Sequence, residues 1–140
     1  MPDVNVLVYA MRRDSPQHQR CLAWLEDALS GVEPVALVAP VVAGFLRIVT
    51  NPRIYAFPTD AEQALEFIEA VLEAPAAVVP PPSKRHMAAF LNLCRRAGVK
   101  GDLVPDAWLA ATAIDLDATL VTAERGFARF PGLRWRHALD

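Results

Sequence analysis

Cysteine is scarce in this chain of 140 residues, which contains only Cys21 and Cys94. Two cysteines are too few for the disulfide scaffold that small secreted domains need, so we expect both thiols to be reduced. His18 lies one helical turn before Cys21, but no further cysteine or histidine completes a zinc set at a usual spacing. The composition therefore excludes a disulfide-stapled protein and gives no support to a zinc protein.

Long hydrophobic runs are also absent from the sequence. The longest apolar stretch, residues 35–46, is too short to span a bilayer and contains Pro40. A signal peptide does not fit the start, because Pro2 and Asp3 stand where its basic and apolar segments would be. The sequence thus predicts a protein without membrane association, located in the cytoplasm.

Charge of one sign is not in large excess, since 14 basic and 16 acidic residues give a net charge of −2. This balance argues against a protein that coats nucleic acid indiscriminately. Only Lys84 and Lys100 are lysines, and all other basic residues are arginines, whose forked guanidinium groups suit phosphate and carboxylate recognition. A local basic rim around a smaller site remains compatible with these counts.

The residues that are abundant favour one α/β domain. Hydrophobic residues make up 54% of the chain, and its length fits a single domain over residues 1–140. Capping residues that precede apolar stripes predict four helices, which begin near Ser15, Thr59, Ser83 and Pro105. Short β-branched runs between these helices predict strands at 35–38, 77–79 and 119–121. The alternation favours a three-layer α/β/α fold with a central, mostly parallel sheet.

Three acids fall where such folds bind ligands, at the carboxyl ends of strands and beside helix N-termini. Asp3 lies near the first apolar run, Asp106 in the first turn of a predicted helix, and Glu124 just after a predicted strand. Each acid alone has a structural interpretation as a cap or a first-turn residue. Together they would repel one another unless a divalent cation neutralised them, and oxygen ligands suit Mg²⁺ or Mn²⁺.

Several segments, in order along the chain, resemble motifs of one known family. The segments are 3–10 (DVNVLVYA), 101–111 (GDLVPDAWLAA), 118–127 (ATLVTAERGF) and 130–135 (FPGLRW), with 44–47 (GFLR) and 50–52 (TNP) matching one subgroup. The family is the PIN-domain nucleases, and specifically the VapC toxins of bacterial toxin–antitoxin pairs. No single motif would suffice, but motifs in matching order cover nearly the whole chain.

The resemblance implies a metal-dependent endoribonuclease that acts as the toxin of a toxin–antitoxin pair. Its catalytic and metal-binding acids would be Asp3, Asp106 and Glu124, with Mg²⁺ or Mn²⁺ as the cofactor. Asn5 and Thr122 match polar positions that help to orient the site. In this chemistry a water activated by the cation attacks an RNA phosphodiester.

The resemblance also implies macromolecular partners besides RNA. A VapB-type antitoxin would lie in a hydrophobic groove, and the toxin would form a homodimer. For the RNA itself, Trp108 is a candidate base-stacking residue two positions beyond the central acid. Arg125 and Arg129, one turn apart beyond Glu124, are candidate contacts to the RNA backbone.

The sequence departs from the family pattern in three places. Many PIN domains carry a glutamate within an E-[FL]-x-R motif, where this chain has Gly44, so Asp102 is a candidate substitute if its loop turns inward. The acid of the third motif is Glu124, which is one methylene longer than the usual aspartate. Only two residues precede Asp3, so either the first strand is nearly missing or the natural start lies upstream.

Two alternative functions follow from these departures and from the first motif. A catalytically impaired PIN domain could bind antitoxin or RNA without cleaving. An Asp-nucleophile phosphatase could use Asp3, but the phosphatases that the motif resembles need an aspartate where Asn5 stands and a lysine late in the chain. A phosphomonoester assay separates this last alternative from a nuclease.

Overall fold

The computed structural model describes residues 1–140. In it the chain forms six α-helices and four short strands. The elements are α1 Val4–Met11, α2 His18–Ser30, β1 Val35–Ala36, α3 Ala39–Val49, α4 Ala61–Glu73, β2 Ala77–Val78, α5 His86–Ala97, α6 Val104–Asp115, β3 Leu120–Thr122 and β4 Trp135–His137. Two 3₁₀ helices, Gly101–Leu103 and Arg125–Arg129, precede α6 and follow β3. The predicted α/β class is confirmed.

All strand pairing is parallel, as the alternation of helices and strands predicted. β1 pairs with β2 and β3 pairs with β4, while Pro2 forms an isolated parallel bridge with Val121. The Val121 N–H donates to the Met1 carbonyl (2.9 Å), and the Asp3 N–H donates to the Val121 carbonyl (2.8 Å). The first strand is thus reduced to a short pairing that still sets Asp3 against the end of β3.

The core fills the space between the helices and the strands. Its largest fully buried side chains include Leu7 of α1, Phe45 of α3, Leu120 of β3 and Phe127 of the second 3₁₀ helix. α1 packs against both α2 and α3, and α5 packs against α6. Burial of each large apolar side chain contributes about 1.5–3 kcal/mol, so α1 is held firmly between its neighbours. None of the helices combines the length and the apolar character needed to cross a membrane.

Three predicted helix starts are shifted in the structure. The Ser15 hydroxyl accepts a hydrogen bond from the Gln17 N–H (3.2 Å), which forms a turn, and α2 begins only afterwards. The Ser83 hydroxyl likewise accepts from the Arg85 N–H (3.1 Å) in a turn, and α5 begins only at His86. α4 is capped by Asp60 instead of Thr59, because the Thr59 N–H pairs with the Val49 carbonyl (2.7 Å) and holds this residue outside the helix. The fourth helix, α6, begins one residue before the predicted Pro105.

Candidate active site

Asp3 occupies the junction between the pairing with β3 and the start of α1. Its Oδ1 accepts a hydrogen bond from the Val4 N–H (2.6 Å), so the carboxylate caps α1. Its Oδ2 accepts a short hydrogen bond from the Thr122 hydroxyl (2.6 Å) at the end of β3. The side chain is consequently only 6% exposed, and the capping role and the candidate site role fall on the same residue.

Asn5 connects Asp3 with Glu124. Its Nδ2 donates to Asp3 Oδ2 (2.9 Å) and to Glu124 Oε1 (3.1 Å), while its Oδ1 accepts from the Ala123 N–H (3.1 Å). The Glu124 N–H donates to the Thr122 hydroxyl (3.1 Å). These hydrogen bonds hold the buried acid Asp3 and the exposed acid Glu124 next to each other. Asn5 and Thr122 lie at the positions where the sequence predicted supporting residues.

Asp106 faces the same site from the first turn of α6, directly after Pro105. Burial raises the pKa of Asp106, and the charge of Glu124 raises it further, while Arg129 opposes the shift. Burial likewise raises the pKa of Asp3 to about 6, against the hydrogen bonds from Thr122 and Val4, and the charges of Glu124 and Asp106 add to the increase. The structure therefore brings the three predicted acids within electrostatic reach of one another.

The chemistry of these side chains fits a hard divalent cation. The site offers carboxylate, amide and hydroxyl oxygens, which are the donors that Mg²⁺ and Mn²⁺ prefer. Burial, the main cause of the elevated pKa of Asp3, disfavours its ionised form, and a bound cation would offset this effect. The structure contains no group of three His, Cys, Asp or Glu side chains able to hold a metal ion together. The fit is therefore to a cation held by one or two carboxylates and water, as is common for Mg²⁺.

A cavity of about 550 Å³ opens onto these acids. Asp3, Asn5, Asp106 and Glu124 line its polar part, and apolar residues of α1, α3 and α6 line the remainder. A volume of this size is in the range of small-ligand sites and is sufficient for one nucleotide unit. Neither of the two lysines lines the cavity, so the lysine that the phosphatase alternative needs is missing from this site.

Gly44, the position at which the family pattern considered above would place a glutamate, lines the cavity without supplying a donor. A Cβ atom built on Gly44 would lie 3.0 Å from Cγ2 of Val4, tighter than nine in ten real contacts of this kind. The absence of a side chain here is therefore linked to the close approach of α3 to α1. A carboxylate at this position would require Val4 to move.

Asp102 does not fill the place of the missing glutamate. It lies in the 3₁₀ helix Gly101–Leu103 before α6, its side chain is exposed, and it is not among the residues that line the cavity. Gly101 adopts a left-handed backbone conformation with φ of 61° at this turn. The condition under which Asp102 would join the site, an inward turn of its loop, is not met.

The three candidate RNA contacts have different environments. Trp108 lines the cavity and is held edge-on by His86 and Phe90, with ring centroids 4.1 and 5.0 Å away. Arg129 is exposed and contributes positive charge near Asp106. Arg125 is exposed and forms an ion pair with Asp140 (3.0 Å), so it is the least available of the three for phosphate contact.

Sequence reasoning did not single out two tyrosines that line the cavity, Tyr9 of α1 and Tyr55 of the loop before α4. The spacing of Tyr9 four residues after Asn5 places both side chains on one face of α1, and this signal was present in the sequence. Tyr55 lies in a segment without regular periodicity, so nothing local pointed to the site. Arg47 of α3 also lines the cavity and brings a positively charged side chain to it.

Comparison with known proteins identifies the family to which this fold belongs. A family model described as the PIN domain matches residues 1–133. Ribonuclease VapC43 of Mycobacterium tuberculosis is 46% identical over 138 residues, which cover 99% of this chain and 94% of the relative. Ribonuclease VapC25 of the same species is 39% identical over 132 residues, covering 94% and 93% of the two chains. The chain therefore belongs to the PIN-domain family, among the VapC ribonucleases.

A solved structure shares the fold at lower sequence similarity. The crystal structure of VapBC2 from Rickettsia felis, bound to a DNA fragment from its promoter, superposes with a TM-score of 0.70 and 22% sequence identity. The match covers 98% of this chain and 96% of that chain. Family membership and fold thus agree with the resemblance that the sequence motifs indicated.

Proposed function

We propose that this protein is a metal-dependent endoribonuclease that acts in the cytoplasm as the toxin of a toxin–antitoxin pair. The observation that carries the proposal is the cluster of Asp3, Glu124 and Asp106, in which Asn5 bridges the first two acids, at the mouth of a cavity in a VapC-family chain. Close carboxylates that are not neutralised by a basic side chain are typical of a cation site. The substrate that we propose is RNA.

The residues that would hold Mg²⁺ or Mn²⁺, one or two of them directly and the others through bound water, are Asp3, Asp106 and Glu124. The cation would supply a more acidic water and neutralise charge that develops on the phosphate. Asp3 is fixed by the hydrogen bonds from Val4 and Thr122, so its carboxylate is oriented before substrate binds. Without a cation, burial and the charge of Glu124 raise the pKa of Asp106, and a bound cation would oppose both effects and keep this carboxylate ionised.

The proposed partners follow from the family. We propose that a VapB-type antitoxin binds this chain, which the likeness to the VapBC2 structure supports, and that the toxin forms a homodimer. Light scattering coupled to gel filtration measures both assemblies, alone and with the product of the neighbouring antitoxin gene. A strictly monomeric toxin would contradict the homodimer, and a failure of the two proteins to co-elute would contradict the antitoxin proposal.

Cleavage of total bacterial RNA by the purified protein tests the proposed activity, with Mn²⁺, Mg²⁺ or EDTA in parallel. We expect discrete fragments that require the cation and disappear in Asp106→Asn. The matched control is Asp115→Asn, an acid at the opposite end of the same helix and outside the cavity. Equal fragments in EDTA would contradict metal dependence, and fragments that persist in Asp106→Asn would contradict the assigned site.

A second candidate function is binding of RNA or antitoxin without cleavage. Gly44 favours it, because this position supplies no carboxylate and Val4 occupies the space beside it. Folded, antitoxin-free protein that binds single-stranded RNA but yields no fragments with either cation would favour this candidate.

A further inference from the structure

The loop between α3 and α4, residues 50–60, has a defined conformation although it contains no helix or strand. The Thr59 N–H donates to the Val49 carbonyl (2.7 Å), which closes the loop at its base. The Asn51 side chain accepts from the Arg53 N–H (2.9 Å), and its carbonyl accepts from the Tyr55 N–H (3.1 Å). These hydrogen bonds fix the backbone conformation around Tyr55.

Arg12, which follows α1, fastens this loop to the rest of the protein. Its guanidinium donates twice to Asp14 (2.9 and 2.5 Å) and once to the Phe57 carbonyl (2.9 Å). Its Cζ lies 3.8 Å from the centroid of the Tyr55 ring, in cation–π contact, and only 8% of the residue is exposed. A buried arginine is costly unless its donors are satisfied, so this arrangement is specific and holds the ring in one place.

Tyr55 and Tyr9 both line the cavity that contains the acids. Burial raises the pKa of Tyr9, and the nearby charges of Glu124, Tyr55 and Asp3 contribute to the increase. The same cavity is thus lined by the carboxylates and by two tyrosine side chains.

We propose that Tyr9 and Tyr55 form a stacking subsite for an unpaired nucleobase beside the scissile phosphodiester, and that Arg12 is the positioning residue of this subsite. This inference rests on the proposed ribonuclease function. The acids repel the phosphate backbone, and the net charge of −2 gives little general attraction for RNA. Contacts other than charge must therefore add to the attraction from the proposed cation and the nearby arginines, and stacking of bases on aromatic rings is one such contact.

The subsite selects single-stranded RNA, because a base in a duplex has both faces covered by its neighbours. Only an unpaired base can turn its face toward side chains. Stacking on one aromatic ring accounts for about a five- to hundred-fold change in affinity per base. Tyr55→Ala is therefore expected to weaken RNA binding by a factor in this range.

Binding is tested with a short single-stranded oligoribonucleotide that contains 2-aminopurine, whose fluorescence falls when the base stacks. Each variant is made in the Asp106→Asn protein with Mg²⁺, so that cleavage does not intervene. We expect Tyr55→Ala and Tyr9→Ala to lose the quenching and bind more weakly, and Tyr55→Phe to retain both. The control is Phe57→Ala, an 88% exposed aromatic of the same loop that lies outside the cavity and is expected to change nothing.

The positioning role of Arg12 has its own readouts. Arg12→Lys keeps the charge but loses the fork and the planar face, so KM for RNA cleavage is expected to rise while kcat stays near the wild-type value. In the Tyr55→Ala background, Arg12→Lys is expected to weaken binding no further, because its effect passes through that ring. A full additional loss in the double variant would overturn the positioning role, as would a fall in kcat at unchanged KM.

Failure of the subsite and failure of the ribonuclease proposal give different results. If the wild-type protein cleaves RNA but both tyrosine-to-alanine variants bind and cut like it, the subsite is overturned and the ribonuclease stands. If no cation supports cleavage but quenching depends on both tyrosines, the subsite stands as part of a binding site. Equal binding of the annealed duplex would overturn the selection of an unpaired base.

Discussion

Because the carboxyl group of Asp3 is buried, we expect its contribution to make the metal-free protein less stable as the pH rises. Carboxylates that are well paired in the folded state stabilise a protein as the pH rises. Here burial raises the pKa of Asp3 from its ordinary value of 3.8 to about 6. Between these two values the folded protein binds more protons than the unfolded chain, so the free energy of unfolding falls as the pH rises.

The magnitude follows from the size of the pKa shift. A difference of one pKa unit corresponds to about 1.4 kcal/mol, so an increase of about two units makes Asp3 destabilising by about 3 kcal/mol above pH 6. Below about pH 4 the group is protonated in both states and contributes no penalty. The burial of Asp3 means that solvent screening reduces this figure little.

Urea unfolding followed by circular dichroism measures the effect, in EDTA at several pH values from 4 to 7. The difference between the wild-type protein and Asp3→Asn isolates the group, because the other titrating residues are common to both proteins. We expect this difference to change by about 3 kcal/mol over the range, in favour of the wild type at low pH. Asp27→Asn, which changes an exposed acid of α2, serves as the control. Its free energy of unfolding is expected to differ from that of the wild type by the same amount at every pH. A difference that does not vary with pH would refute the reasoning, as would one that varies in the opposite direction.

Three further predictions concern the cation, a helix contact and a helix cap. Mn²⁺ is expected to raise the Tm more at pH 7.5 than at pH 5, since protons compete for Asp3, and equal shifts by differential scanning fluorimetry would contradict this. Gly44→Ala is expected to destabilise by up to about 2 kcal/mol through its contact with Val4, whereas Gly126→Ala has free space; a stabilised Gly44→Ala in urea unfolding would contradict it. Asp60→Ala is expected to lower stability by about 1 kcal/mol and Asp60→Asn by much less, and equal midpoints for the two variants would show that the cap is unimportant.

The parts of the site that lie at strand ends could be predicted from the sequence. The alternation of strands and helices predicted that Asp3, Asp106 and Glu124 lie at one edge of the sheet, whereas Thr122 was predicted only from the resemblance to the family. Hydrogen-bond partners were less accessible, since no sequence pattern shows that Asn5 donates to two acids at once. That arrangement depends on the angle at which α1 leaves the short pairing with β3.

The predictions of the cap of α4 and of an inward-facing Asp102 were wrong because local sequence preference allowed more than one conformation. Thr59 and Asp60 are both good helix caps, and the choice of Asp60 is made by a tertiary contact, the pairing of the Thr59 N–H with Val49. Asp102 similarly follows a glycine that permits several turn conformations, and the one adopted turns its side chain to solvent. Local chemistry restricts such positions to a few possibilities, and packing selects among them.

The dual role of Asp3 explains why the acids of this site could be found from the sequence while Tyr55 could not. Asp3 must begin α1, pair with β3 and face the cavity, so its position is over-determined by residues near it in the fold. The Tyr55 ring lies on a loop that has no periodic pattern, and its contact distant in sequence is with the guanidinium of Arg12. Residues fixed by several contacts, such as Asp3, would then carry the chemistry that a family shares. Residues on irregular loops, such as Tyr55, would determine the substrate preference. Exchange of residues 50–60 between two VapC ribonucleases is therefore expected to transfer the preferred cleavage position without abolishing cleavage, and sequencing of fragment ends measures it.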